Sequence, residues 1–159
     1  MLALEVGSFE KNTAKEAFEQ TLEVIASLAV QLQNMGCAVG LATNGALTGG
    51  GFSVLPATRA PAQLPAILET LARLQAAQKS ALTPIMRQAL ASRRGVSCVY
   101  FSYQAGRAAA EAAMICRQQN IPITFFVCRY DPESEAIRLK RRTGMHTLDE
   151  IRIQGNEPV

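Results

Sequence analysis

The 159-residue chain contains one histidine, His146, and its four cysteines form no Cys-x-x-Cys pair. These absences exclude a zinc finger and most histidine-based catalysis. No apolar run reaches the ~18–20 residues of a membrane span, and the opening residues lack the basic flank and apolar stretch of a signal peptide. A net charge of +3 creates no strong field for nucleic acid or anionic lipid. We therefore expect a soluble chain, cytoplasmic as given, that binds no nucleic acid.

The composition is that of a folded protein, with 48% hydrophobic and 18% charged residues. Its length fits one domain. Cys98 and Cys128 lie in apolar, β-branched stretches, which predicts reduced core residues in a cytosolic protein. The basic cluster at 138–142 lacks interleaved aromatic residues, and we interpret it as a solvated helix face.

Strand-like apolar runs alternate with helical patterns along the chain. The predicted strands are residues 2–6, 37–42, 52–55, 96–102 and 121–128, with 52–55 as an antiparallel edge strand. Helices are expected from the capping box Thr13-Ala14-Lys15-Glu16 to Gly36, from Pro61 with Leu64, Leu68, Leu71 and Leu74 on one face, from Thr83-Pro84, and over 106–119. This order predicts an α/β fold: a three-layer sandwich with a mostly parallel sheet and helices on both faces. Residues 131–159 are expected to add a short helix near 135–142 and an edge strand at 148–153.

Ligands of open α/β sheets bind outside the carboxyl ends of the strands, where the strand order reverses. The polar residues expected at this rim are Glu5, Ser8, Thr83, Ser102 and Tyr103. They include no nucleophile–base pair, so no catalytic residue is assigned.

Simpler roles compete for three of these residues and for one loop. Thr83 before Pro84 has the pattern of a helix cap, and helix dipoles could stabilise the charge of Glu5. Tyr103 fits either a partner contact or a packed ring whose hydroxyl reaches solvent. The run Gly49-Gly50-Gly51 is interpreted as a flexible turn, because no Gly-Lys-Ser/Thr follows it.

Several stretches carry a family resemblance, namely Ala26-Ser27-Leu28-Ala29, Gly40-Leu41-Ala42-Thr43-Asn44-Gly45, Gln63-Leu64 and Ile67-Leu68-Glu69-Thr70-Leu71-Ala72-Arg73-Leu74. Here the chain resembles the domain-of-unknown-function 58 family, which carries a von Willebrand factor A-like domain. The resemblance runs from about Leu2 to Cys128 and is most specific around Ser27-Leu28-Ala29 and Val39-Gly40-Leu41. It implies a von Willebrand factor A-like, Rossmann-like domain over residues 1–130. Because the first strand starts at Leu2, we expect a fragment or a shortened gene product.

The resemblance also carries implications for context. Such proteins are typically bacterial, often have membrane helices and a β-rich segment before this domain, and are commonly encoded near MoxR-type AAA+ ATPases. It therefore implies a protein partner, such as that ATPase. It also implies a longer parent chain that is membrane-associated, with this domain in the cytoplasm.

The resemblance supplies a test for metal binding as well. A-type domains that bind Mg²⁺ use an Asp-x-Ser-x-Ser run after the first strand, a threonine from a neighbouring loop and an aspartate after the fourth strand. The first run falls on Glu5-Val6-Gly7-Ser8-Phe9, the threonine matches Thr83, and the aspartate position falls near Tyr103. One carboxylate with one or two hydroxyls is too few ligands for a tight divalent site.

The leading hypothesis is therefore a non-enzymatic protein-binding or scaffold domain that works with a MoxR-type AAA+ ATPase, has a degenerate metal site and holds no cofactor. One alternative keeps a weak Mg²⁺ at Glu5, Ser8 and Thr83, completed by a carboxylate of the partner. Another is a small-molecule or nucleotide-binding enzyme of Rossmann type. The sequence Gly-Ser-Phe-Glu after the first strand disfavours the enzyme, because a phosphate-binding turn is rich in glycine.

Overall fold

The computed structural model describes residues 1–91, 95–129 and 144–147. Within these ranges, strands and helices alternate as predicted over most of the chain. The strands are β1 (Leu2–Leu4), β2 (Val39–Thr43), β3 (Gly45–Leu47), β4 (Val54–Thr58), β5 (Leu74–Gln78), β6 (Cys98–Ser102), β7 (Ile123–Val127) and β8 (Gly144–Thr147). The helices are α1 (Gly7–Lys11), α2 (Lys15–Asn34), α3 (Gln63–Arg73), α4 (Leu82–Leu90) and α5 (Arg107–Gln118).

Six strands form one sheet in the order β4-β2-β1-β6-β7-β8. Every pair is parallel except β2 and β4, which run antiparallel. The α/β class, the mostly parallel sheet, the central position of β6 and the antiparallel edge strand are thus confirmed. The edge strand starts at Val54 instead of Phe52, whose side chain is 80% exposed.

The two faces of the sheet belong to two separate hydrophobic clusters. Leu2 and Leu4 of β1 pack with residues of α1, α2 and α3, whereas Ala3 packs with α4 and α5. This division follows from the strand period of two, which sends successive side chains to opposite faces. Helices therefore lie on both faces of the sheet. Cys98 is buried in the α4–α5 cluster as predicted, whereas Cys128 is half-buried and packs against the cluster on the opposite face.

The predicted capping box at Thr13–Glu16 is wrong. Helix α2 begins after Ala14, which makes no side-chain capping bond. Thr13 instead ends α1 with a φ of 52°, where its N–H donates to the Glu10 carbonyl and the N–H of Ala14 donates to that of Phe9. This is a Schellman ending of a helix that the sequence pattern did not predict.

The predicted end of α2 is confirmed and has the same geometry. Gly36 has a φ of 75°, its N–H donates to the Gln33 carbonyl, and the N–H of Cys37 donates to that of Leu32. Glycine suits this position because left-handed backbone costs it no steric strain.

The apolar face predicted from Pro61 onward is partly wrong. Ile67 and Leu71 are the buried residues of α3, while Leu68 is 37% exposed. Leu74 lies in β5, which pairs antiparallel with β3 in a separate two-stranded sheet. The leucine spacing runs unbroken from helix into strand, so periodicity alone cannot locate the boundary.

The predicted helix near 135–142 and strand at 148–153 lie outside the described residues. The short strand β8 precedes that predicted strand and pairs parallel with β7. Among the described residues, no helix is long and apolar enough to cross a membrane.

Candidate functional site

The candidate site lies where the carboxyl ends of β1 and β6 meet. The chain leaves β1 for β2 on one side and leaves β6 for β7 on the other, so the strand order reverses between β1 and β6. Such a switch point opens a crevice in doubly wound sheets. The N–H of Glu5 donates to the Phe101 carbonyl at 2.9 Å, which ties the two strand ends together.

Glu5 is buried, with 7% of its surface exposed, and its carboxylate caps the start of α1. Its Oε2 accepts a hydrogen bond from the N–H of Ser8 at 3.0 Å. A β-carbon on Gly7 would lie 2.0 Å from the Gln78 side-chain oxygen and 2.7 Å from Glu5 Oε1. Glycine at this position therefore lets Gln78 and Glu5 approach the backbone of α1. The role of Glu5 as a charge at a helix amino terminus matches this geometry.

Ser8 and Tyr103 form the second contact across the crevice. The Ser8 Oγ accepts a hydrogen bond from the N–H of Tyr103 at 3.0 Å. The Tyr103 ring lies against Phe9, with the ring centres 5.8 Å apart. Tyr103 is half-buried, so its ring is packed as one of the two predicted roles requires. Glu5, Ser8 and Tyr103 are thus joined in one hydrogen-bonded chain.

Ser102 is the last residue of β6, and its hydroxyl bonds to the backbone of the loop that follows. The side chain is buried, and its Oγ donates to the Gln104 carbonyl at 3.0 Å. The hydroxyls of Ser8 and Ser102 are therefore both engaged with backbone groups, a use that orders the rim and activates neither oxygen.

Thr83 does not cap α4, which corrects the simpler role expected for it. The residue before the helix is Ala81, and it makes no side-chain capping bond. The Thr83 hydroxyl instead donates to Oε2 of Glu111 on α5, whose Oε1 accepts from Arg107 Nε at 2.9 Å. These two hydrogen bonds lower the pKa of Glu111 below its ordinary value because both stabilise the carboxylate. The hydrogen bond from Thr83 has the larger effect.

A buried phenol lies beneath the rim on the α4–α5 face. The hydroxyl of Tyr100 has no hydrogen-bond partner among the described residues, and the side chain is fully buried. Burial raises the pKa of Tyr100 well above its usual range, and the negative charges of Glu5 and Glu111 raise it further. Both carboxylates thus act on the same phenol.

Asn44 is a rim residue that the sequence did not indicate as part of the site. Its Oδ1 accepts from the N–H of Val6 at 2.8 Å, and its Nδ2 donates to the Ser80 carbonyl at 3.1 Å. The side chain is 1% exposed and joins the end of β1 to the loop after β5. Asn44-Gly45 has the sequence pattern of a turn, so the sequence does not indicate that the Asn44 side chain links β1 to the loop after β5.

Of the predicted site residues, Glu5, Ser8 and Tyr103 form one hydrogen-bonded group with Ser102 beside it. Thr83 belongs to a second group with Glu111 and Arg107, which the sequence did not indicate. Within the described ranges, no group of three or more His, Cys, Asp or Glu side chains could hold a metal ion. Comparison with protein-family models, curated proteins and solved structures finds no match to this chain.

Proposed function

We propose that this chain is a non-enzymatic A-type protein-binding domain that contacts its partner through the rim at the carboxyl ends of β1 and β6. The observation that carries the proposal is the engagement of the rim hydroxyls. Ser8 accepts from backbone, Ser102 donates to backbone, and Thr83 donates to Glu111. A rim whose side chains are held in this way has a fixed shape, which suits recognition.

The strand order supports the Rossmann-like frame of this proposal, which an A-type domain shares with the Rossmann-type enzyme alternative. The order β4-β2-β1-β6-β7-β8 is the doubly wound order 3-2-1-4-5-6 once β3 and β5 are set aside. The family resemblance is the reason for proposing a MoxR-type AAA+ ATPase as the partner class and the cytoplasm of a bacterial cell as the location. The degenerate metal site follows from Gly7 and Phe9, which occupy the two serine positions of the family's run.

Binding of the purified chain to a purified MoxR-type ATPase tests the proposal. Arg107 lies at the rim end of α5 with its side chain 93% exposed, and Arg117 lies at the opposite end of the same helix. We expect Arg107→Glu to weaken binding about tenfold, as charge reversal at an interface does, while Arg117→Glu stays within about twofold. Equal losses for the two variants, or no binding by the wild type, would refute the proposal.

A divalent-cation site is the second candidate function, and Glu111 is the observation that favours it. In the sequence, Glu5 is the one carboxylate among the three candidate ligands Glu5, Ser8 and Thr83. In the structure, the Glu111 carboxylate accepts a hydrogen bond from the Thr83 hydroxyl. A second carboxylate is the ligand type that Mg²⁺ prefers. Loss of a Mg²⁺-dependent rise in melting temperature in both Thr83→Ala and Glu111→Gln would support this candidate.

A further inference from the structure

A groove of about 410 Å³ lies on the face of the sheet that α2 partly covers. One wall is a stripe of α2 that includes Gln20, Glu23, Val24 and Leu28, and the floor is Phe101 of β6 and Phe126 of β7. We call this the α2 groove. It lies on the opposite face of the sheet from Thr83 and Glu111, so an inference from it goes beyond the proposed rim function.

The groove exists because α2 and α3 pack side by side toward the β2 side of the sheet. Phe101 is fully buried, whereas its stacked neighbour Phe126, with ring centres 5.4 Å apart, is only half-buried. Val24 and Leu28 on the wall are half-buried as well. Apolar surface of both the helix and the sheet therefore lines one continuous depression.

The shape of the groove suits a helix. Its wall extends from Gln20 to Gln31, which at 1.5 Å per residue corresponds to about 17 Å or three helical turns. Lining residues on α2 recur at intervals of three and four, so the wall is a straight ridge along the helix axis. Laying an amphipathic helix into an apolar groove is a recurrent mode of peptide recognition.

Glu23 is the charged residue among those that line the groove. Glu16 and Glu19 precede it on exposed positions of α2, which begins at Lys15, and no lysine or arginine follows until Arg59. The helix dipole accounts for acidic residues in the first turn only, since its effect fades beyond it. Glu23 lies in the third turn and borders the groove. A cationic occupant is therefore favoured over an anionic one.

We propose that the α2 groove binds an amphipathic, basic helix of a partner protein. Apolar residues of that helix lie on Val24, Leu28 and Phe126, and its lysine or arginine side chains face Glu23 and Glu19. The rim proposal and this one are independent, because they concern different surfaces and different partner groups.

The test uses the full chain and two synthetic peptides of about 14 residues, long enough for a helix to form on binding. One peptide has leucine and lysine at amphipathic helical spacing, and the other has glutamate in place of every lysine. Because the chain itself carries a net charge of +3, non-specific attraction favours the glutamate peptide. Stronger binding of the lysine peptide in titration calorimetry, by about tenfold, is the expected result.

Variants locate the binding. Leu28→Asp is expected to weaken the lysine peptide about tenfold or more, because it places a charge in the apolar wall. Glu23→Lys is expected to weaken it about fivefold. Met114→Asp on α5 and Glu69→Lys on α3 are the matched controls, both exposed and away from the groove, and should stay within about twofold.

Four results would overturn the proposal. Equal affinity for both peptides would identify an apolar ligand site without charge preference. Binding insensitive to Leu28→Asp would locate the peptide elsewhere. A dimer of the free chain that Leu28→Asp dissociates, measured by light scattering, would identify a second copy as the occupant. No binding of the lysine peptide by the wild type, together with a melting temperature of the free chain that drops sharply in Leu28→Asp, would show that the chain fills its own groove.

Discussion

The two faces of the sheet are packed in different ways. The face toward α2 and α3 is filled by large side chains, including Leu4, Phe18, Ile25 and Phe101. The face toward α4 and α5 is lined by many alanines, which are Ala3, Ala42, Ala89, Ala105, Ala109 and Ala112. Small residues let α5 lie close to the sheet, and the space that remains is occupied by Tyr100 and Phe125, whose ring centres are 5.2 Å apart.

This difference bears on where the molecule can bind a partner. Most large residues on the α2 face are buried under α2 and α3. Phe126 lies past the edge of α2, where it is half-buried and the groove begins. On the alanine-lined face the helices meet the sheet closely and bring Thr83 and Glu111 into contact above it. One face thus presents an apolar groove, and the other presents the Thr83–Glu111 contact.

The largest expected effect tests the packing of the α2 face. Ile25 is fully buried, and Ile25→Ala should lower the free energy of unfolding by about 2–5 kcal/mol through lost burial and a cavity. Leu28, one turn along but half-buried in the groove, should lose only about 1 kcal/mol on change to alanine. Denaturant titrations measure both, and equal losses would show that the groove is as closed as the core.

Overpacking tests the alanine-lined face. Ala112 is 1% exposed between α5 and the sheet, and Ala112→Leu should destabilise the chain by about 1–3 kcal/mol. Ala110→Leu is the control, since Ala110 is only half-buried. If Ala112→Leu unfolds at the same denaturant concentration as the wild type, α5 does not lie close to the sheet.

Tyr100→Phe removes the buried hydroxyl without changing the ring. Because this hydroxyl has no partner among the described residues, its removal should stabilise the chain by about 1 kcal/mol. The raised pKa of Tyr100 also predicts a pH effect. The unfolded phenol ionises near pH 10 while the folded one stays neutral, so wild-type stability falls as the pH rises above about 10. Tyr100→Phe should lose this part of the decline, and an unchanged pH profile would contradict the assignment.

The smallest expected effect concerns the rim. Thr83→Val removes the hydroxyl that donates to Glu111, so the pKa of Glu111 should rise toward its ordinary value. NMR titration of the Glu111 carboxyl measures this change. The stabilisation linked to Glu111 in the wild type is present above the unfolded pKa and is lost as the pH falls through the lowered folded pKa. A Glu111 pKa that Thr83→Val leaves in place would mean that Arg107 alone sets it.

The alternation of strands and helices could be predicted because each long element carries its own apolar period, as α5 and β6 do. Helix α1 was missed because it has five residues and depends on distant partners, such as the N–H of Gln78 that donates to Glu10 at 2.7 Å. The small sheet of β3 and β5 was missed because helical leucine spacing continues into β5.

The position of the rim residues could also be predicted, since Glu5 and Ser102 follow parallel strands whose carboxyl ends share one edge. Their partners could not. Glu111 lies 28 residues from Thr83, and Asn44 lies 38 residues from Val6, so only the packing of whole elements brings these groups together. The hydroxyl of Tyr100, which has no partner among the residues that the structure describes, has no sequence signal, because a tyrosine in a buried strand usually finds a partner.

Thermal unfolding with and without Mg²⁺ tests whether the chain's own hydrogen bonds hold the rim without a cation. We expect the same melting temperature in chelator and in excess Mg²⁺, for the wild type and for Thr83→Ala. At a Mg²⁺ concentration about 100 times the Kd, a bound cation would add about 2.7 kcal/mol and raise the melting temperature by roughly 5–10 °C. A rise of that size in the wild type, absent in Thr83→Ala, would contradict the account and establish the metal site.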